Sequence, residues 1–203
     1  MTNANSPFGF AHLGFPEGGA VANFALTWKK IAYNYGTALY RGDVLIDLGS
    51  GYAGRYTTGV AGSNVLGIVE GFEYLSTALG RRTPTTYLPV GDTAYDVDVC
   101  LLPIQNVPPQ LFTVQATSTQ FTIVDIGQNI EPYLGGTGTV LGGTGKSSMT
   151  ISQGTNENTT GTLPFRVVGL YSSYAPSGWN GTDDANPYNI VVVASNPYNA
   201  TGV

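Results

Sequence analysis

Short apolar runs, each broken by glycine, proline, asparagine or serine, recur along the chain and constrain its fold more than any other feature. In several runs apolar and polar residues alternate, which is the pattern of a β-strand with one buried face. No run carries an amphipathic helical pattern longer than two turns. About ten short strands between turns predict an all-β fold, either a sandwich or a barrel of short antiparallel strands.

One predicted strand is a long run, Val65–Tyr74, in which Gly67 and Gly71 interrupt the apolar residues. A glycine inside a strand marks a bulge or a close approach of another backbone. Further strands are predicted at Val44–Leu48, Tyr95–Leu101, Phe112–Gln115, Phe121–Val124, Pro164–Tyr171 and Asn189–Ala194.

The chain divides into an N-terminal segment and one β domain. Residues 1–22 are rich in Gly, Pro and Phe without a regular period, and they predict an extended N-terminal arm. Residues 23–203 form the predicted single β domain. Within it, the Gly/Thr-rich stretch 134–162 predicts a flexible hairpin or insertion.

Three aromatic residues of the arm, Phe8, Phe10 and Phe15, are candidate assembly contacts. Leaving each side chain in water would cost roughly 1.5–3 kcal/mol, so the arm is expected to lie on an apolar surface. That surface is either the core of the same chain or a neighbouring subunit. In the second case, deletion of residues 1–16 would weaken the assembly and leave the fold intact.

Charged residues make up only 10% of the chain, against roughly 25% in an ordinary soluble domain. Protein interfaces are depleted in Lys and Glu and enriched in Tyr, and this chain has 13 tyrosines. The composition therefore predicts an obligate assembly. An extracellular monomer with a neutral surface is the alternative.

The charge distribution and the termini limit the expected partners and location. The net charge is −5 and the eight basic residues form no stripe, which argues against nucleic acid as a partner. No apolar stretch approaches about 18 residues, so no membrane partner is expected. Residues 1–7 lack the pattern of a signal peptide, which predicts synthesis and folding in a cytoplasm.

Residues that could carry chemistry are few and isolated, so we predict no enzyme activity, catalytic residue, cofactor or metal. His12 is the only histidine, and the lone Cys100 lies in an apolar strand, which is typical of a buried hydrophobe. The segment Gly142–Ser147 ends like a phosphate-binding loop, but Val140 stands where that motif needs glycine. The pair Asp183–Asp184 is best explained as a turn.

A series of short motifs, in the same order along the chain, resembles a family of capsid decoration (cement) proteins of tailed bacteriophages. The similarity spans nearly the whole chain and includes Asn3–Phe10, Tyr33–Asn34, Ala38–Val44, Leu66–Tyr74, Phe112–Gln115, Ile126–Asn129, Val167–Leu170, Asn196–Tyr198 and Thr201–Val203. One departure is Ala11–Leu13, where the family pattern has an Arg-Pro step; it affects how the arm docks.

The resemblance implies an all-β protein, often a homotrimer, bound to the outer surface of an icosahedral head at junctions between major capsid protein subunits. It implies no active site. The expected partners are therefore the major capsid protein and further copies of this chain, and the expected location is the outer capsid surface of the virion. Two alternatives are another virion component, such as a head or tail fibre or spike, and a carbohydrate-binding or hydrolytic β-sandwich.

Overall fold

A computed structural model describes residues 3–14, 26–57, 65–104, 109–134, 145–154, 157–158, 161, 163–171 and 186–196. The all-β prediction is confirmed, since these residues contain strands and one short 3-10 helix, Ile123–Asp125. The strands are β1 (Ala11–Gly14), β2 (Thr27–Ile31), β3 (Leu39–Tyr40), β4 (Val44–Asp47), β5 (Ala53–Arg55), β6 (Val65–Ser76), β7 (Arg81–Thr85), β8 (Tyr87–Leu88), β9 (Val97–Pro103), β10 (Leu111–Gln115), β11 (Asn129–Ile130), β12 (Tyr133–Leu134), β13 (Met149–Thr150), β14 (Glu157–Asn158), β15 (Phe165–Leu170) and β16 (Ile190–Ser195).

The strands pair antiparallel in two large sheets that pack together in a sandwich-like fold. The first sheet has the order β1-β10-β16-β15-β11-β14, so it joins strands from both ends of the chain. The second sheet has the order β2-β9-β6-β4-β5, and β7 pairs with the far part of the long strand β6. Two short ribbons, β3-β8 and β12-β13, complete the described strands.

Apolar side chains from both sheets meet in one large buried cluster. Its first-sheet members alternate along the strands. On β15, Phe165 and Val167 belong to the cluster, whereas Arg166 and Val168 face solvent. The cluster also contains Phe10, Phe112, Phe121, Ile130, Met149, Ile151, Val191, Val193, Val44, Ile46, Tyr56, Ile68 and Leu102.

The strands β4 and β9 of the second sheet are buried on both faces. On β4, Val44 and Ile46 join the cluster between the sheets, whereas Leu45 belongs to a second apolar cluster. That second cluster lines the other face of the sheet and includes Ile31, Leu39, Val69, Phe72, Val97, Val99 and Leu101. Burial on both faces explains why β4 and β9 have continuous apolar runs rather than strict alternation.

The two glycines of β6 have the roles that the sequence predicts. A Cβ on Gly67 would overlap the carbonyl oxygen of Leu102 on the neighbouring strand β9. The pairing of β6 with β9 shifts register between Val69 and Gly71, which is a bulge. Gly67 therefore allows the backbones of β6 and β9 to approach closely, and Gly71 lies at the end of the bulge in their pairing.

The predicted extended arm is not confirmed for residues 3–14. Phe10 is 2% exposed, and its ring stacks on Phe165 with the centroids 4.7 Å apart. Strand β1 pairs with β10 at the edge of the first sheet. The side chain of Gln115 accepts a hydrogen bond from the Ser6 amide at 3.0 Å and donates one to the Ala4 carbonyl at 2.8 Å. These residues are part of the β domain.

Two further predictions differ from the structure or fall partly outside it. The strand predicted at Phe121–Val124 is wrong, because the chain turns into the 3-10 helix at Ile123. Of the stretch 134–162, the described residues 145–154 contribute buried side chains such as Met149 and Ile151 to the core. Residues 135–144 lie outside the described residues. No helix in the described part has the length and apolar character needed to cross a membrane.

We expect Gly67→Ala to lower the free energy of unfolding by roughly 1–3 kcal/mol, because the new methyl group overlaps the backbone of β9. Gly71→Ala is the matched control, since a Cβ there lies 3.4 Å from the nearest atom, the Thr85 carbonyl oxygen. Denaturant titration of both variants measures the difference. Equal losses would contradict the close approach at Gly67.

We expect Phe10→Ala to cost about 3–5 kcal/mol of stability, because it empties a site in the core. Phe8→Ala removes a half-buried ring and should cost less. Deletion of residues 1–16 should therefore destabilise the fold, contrary to the expectation for an arm that serves only a neighbour. Thermal unfolding of the three variants tests this ranking, and an unchanged midpoint for Phe10→Ala would refute it.

Candidate docking groove and exposed apolar turn

A groove of about 550 Å³ lies between the N-terminal segment and the second sheet. Its apolar lining is provided by Phe8, Phe10, Leu26 and Leu102. Phe10 and Leu102 are buried in the core beneath it, whereas Leu26 remains 41% exposed. The groove therefore combines a fixed apolar floor with apolar side chains that are still accessible from outside.

Charged side chains occupy one side of the groove. Arg41 on one wall binds Glu70 on β6, with both Nη2 and Nε donating to the same oxygen, Oε2, at 2.7 and 2.9 Å. Arg41 also forms an isolated parallel bridge with Lys146, which places the two residues side by side along the backbone, and both line the groove. Lys146 forms no salt bridge within the described residues. Two cations and one carboxylate leave one positive charge in excess.

His12 adds no charge to this groove near neutral pH. Its ring lies edge-on to Phe112 with the centroids 5.8 Å apart. Burial lowers the pKa of His12, and the Glu70 carboxylate offsets only part of this effect. The imidazole is therefore neutral at pH 7, and the local excess of positive charge rests on Arg41 and Lys146.

A buried polar network around Asp43 is hydrogen-bonded to the backbone of Arg41, which lines the groove. Asp43 is fully buried and accepts hydrogen bonds from the Ser147 hydroxyl and from the Tyr40 amide at 2.9 Å. Arg55 lies 3.3 Å from the same carboxylate. The Ser147 amide donates to the Arg41 carbonyl at 2.8 Å, which connects the network to the groove. Burial raises the pKa of Asp43, while Arg55 and Ser147 act in the opposite direction.

The N-terminal wall of the groove depends on Gly9. Its φ of +76° lies in the left-handed region, and a Cβ there would come within 2.6 Å of the Gly42 oxygen and of the Ser147 Cβ. Next to it, the Phe10 amide donates to the Gly42 carbonyl at 2.9 Å, and the Gly42 amide donates to the Val69 carbonyl at 2.9 Å. Three motifs that are distant in the sequence therefore meet at Gly42.

The most exposed aliphatic side chains in the described residues lie on a different part of the surface. Ile123 and Val124 are each 77% exposed and Ile126 is 42% exposed; we call these residues the Ile123–Ile126 turn. The Asp125 carboxylate holds the turn by accepting from the Thr122 amide at 2.6 Å and the Thr122 hydroxyl at 2.9 Å. The Gly127 amide then donates to the Val167 carbonyl at 2.8 Å. A rigid turn that presents two aliphatic side chains is typical of a protein contact.

The three aromatic candidates separate in the structure. Phe8 is half-buried and lines the groove, so it remains available to a partner. Phe10 packs in the core of its own chain, which is the first of the two surfaces considered for the arm. Phe15 lies outside the described residues.

Sequence reasoning missed both the charged side of the groove and the Ile123–Ile126 turn. A local signal for the turn exists, because Thr122 and Asp125 stand three residues apart, as in the capping box that begins a helix. The association of Arg41, Glu70 and Lys146 has no such local signal, because it depends on long-range pairing.

Other residues with chemical potential remain apart from the groove. Cys100 is buried on β9, and burial raises the pKa of its thiol. Asp98 forms salt bridges with Lys30 at 2.6 Å and Arg82 at 3.5 Å. The described residues contain no group of three or more His, Cys, Asp or Glu side chains that could hold a metal ion. The segments 142–144 and 183–184 lie outside the described residues.

Comparisons with known proteins gave no match among family models, curated proteins or solved structures. The strand topology places the protein in the all-β class, with two packed antiparallel sheets.

We expect Ser147→Ala to lower the free energy of unfolding by about 1–3 kcal/mol at pH 7, because buried Asp43 and the Met149 amide each lose a partner. Ser148→Ala, at the neighbouring half-buried hydroxyl, is the matched control. This loss of stability should be smaller in acid. The raised pKa of Asp43 lets its carboxyl group bind a proton there, and a neutral carboxyl depends less on the Ser147 hydroxyl. Denaturant unfolding at pH 7 and pH 4 measures this, and a loss that grows on acidification would contradict it.

Proposed function

We propose that this chain is a structural virion protein that binds the outer surface of a phage head and stabilises the lattice of the major capsid protein. The colinear motifs that resemble capsid decoration proteins support this proposal. Three of these motifs, in Asn3–Phe10, Ala38–Val44 and Leu66–Tyr74, meet at Gly42 and form walls of the groove. A homotrimer is the form that the resemblance implies.

The observation that carries the proposal is the Ile123–Ile126 turn. Water contact of Ile123 and Val124 is unfavourable, and full burial of such a side chain contributes roughly 1.5–3 kcal/mol. The bonds of Thr122 and Asp125 already fix the backbone, so docking costs little conformational entropy. When one assembly of this chain contacts several capsid subunits at once, the linked contacts give high avidity even where each single contact is weak.

The rest of the described surface is also suited to protein contacts. Trp28 is 56% exposed, and Tyr33 and Tyr95 are likewise more than half exposed. Several exposed charges are already neutralised by partners on the same chain, as in Lys30–Asp98 and Arg82–Glu73. Aromatic side chains with little uncompensated charge are the composition found in interface cores.

One arrangement favours a carbohydrate-binding β-sandwich as a second candidate. The Asp96 carboxylate accepts from the Tyr33 amide at 3.2 Å and from the Tyr52 hydroxyl at 2.9 Å, and exposed Tyr95 is its chain neighbour. Aromatic rings beside a carboxylate provide an apolar surface and hydrogen-bond acceptors together. The two candidates differ in partner, which is a capsid subunit in one case and a glycan in the other.

We expect Val124→Asp to weaken binding to undecorated phage heads by roughly tenfold or more, because it buries a charge at the centre of an apolar contact. Because the Val124 side chain is 77% exposed, the substitution should leave the stability of the isolated protein unchanged. Ser118→Asp adds the same charge at an exposed site nearby and is the matched control. Sedimentation of heads with bound protein, followed by imaging, measures occupancy.

Equal binding of wild type and Val124→Asp would remove the turn as the docking element. A wild-type protein that ignores undecorated heads, stays monomeric and binds a glycan array would refute the capsid function in favour of the second candidate.

A further inference from the structure

We propose that the groove between Phe8 and Leu26 binds an extended acidic segment of the major capsid protein, with its carboxylate beside Lys146. This inference rests on the proposed function and names the partner of a second contact, separate from the Ile123–Ile126 turn. An apolar side chain of the segment would lie on Phe8, Leu26 and Leu102.

The size and lining of the groove fit a bound peptide segment. Its volume of about 550 Å³ falls within the roughly 300–1,000 Å³ that is usual for binding sites. Contact of accessible apolar side chains with water is unfavourable, and the free energy falls when a partner covers them. Phe8 and Leu26, at the two margins, are the accessible ones.

The charge of the groove selects the chemistry of the segment. The whole chain carries a net charge of −5, so an acidic segment is repelled from most of the molecule. In the groove the acidic segment meets a net positive charge, because Arg41 neutralises Glu70 and Lys146 forms no salt bridge in the described part of the chain. A carboxylate of the partner is therefore directed to Lys146.

The same charges argue against a nucleic acid. A phosphate backbone is held by several cations in a row, whereas here one lysine remains beside an apolar floor.

The walls of the groove are also held in place before a partner binds. Gly9 lies against Gly42 and Ser147, and Phe10 is stacked on Phe165, so a segment that enters the groove orders little of this chain.

Charge removal tests the electrostatic part. We expect Lys146→Gln to weaken binding to undecorated heads by roughly three- to tenfold at low salt, and by less at high salt, where screening already reduces the attraction. Lys29→Gln removes the same charge from an exposed site on β2 and should change binding by less than about twofold. Identical affinities and salt dependence for the two variants would overturn the role of Lys146.

Photo-crosslinking identifies the occupant. With p-benzoylphenylalanine in place of Leu26, mass spectrometry of decorated heads should find a crosslinked peptide of the major capsid protein that contains Asp or Glu. A crosslink to another copy of this chain would overturn the inference and assign the groove to self-assembly. Wild-type protein that binds heads with the same affinity and salt dependence as Lys146→Gln refutes this inference alone. Wild-type protein that does not bind heads refutes the proposed function itself.

Discussion

The arrangement of the molecule depends on the junction at Gly42 and Asp43. Gly42 accepts from the Phe10 amide and donates to the Val69 carbonyl, and the next residue, Asp43, binds Ser147 and Arg55 in the interior. A buried carboxylate is costly unless its oxygens are fully hydrogen-bonded, so this site tolerates few alternative arrangements. The N-terminal segment, the β3–β4 turn, β6 and the segment around Ser147 are thereby held in one geometry, from which the groove follows.

The groove and the Ile123–Ile126 turn are both rigid, but they present different surfaces. The turn is a small aliphatic protrusion that is held by Asp125 and the backbone of β15. The groove is concave and carries the excess charge of Lys146. In the function proposed above, the two surfaces would contact different capsid subunits, because a single contact cannot hold two neighbours together.

Local sequence patterns predicted the fold class and several elements well. The long strand of Val65–Tyr74 and the functions of Gly67 and Gly71 follow from residues that are neighbours in the chain. The prediction at Phe121–Val124 failed because an apolar run before a turn resembles the end of a strand, and only the Thr122–Asp125 pair distinguishes the two. The extended arm is not confirmed at Phe10, because an irregular segment can also complete a core whose other members are far away in the chain.

The sequence by itself determined that this chain is all-β and poor in charge. Those properties depend on composition and on the period of short runs, which act between near neighbours. Only the tertiary structure decided that Phe10 lies on Phe165 and that Arg41 pairs with Glu70 and bridges to the backbone of Lys146. These contacts join residues far apart in the chain, and they arise from strand order and register, which minimise the free energy of the whole fold rather than that of any single segment.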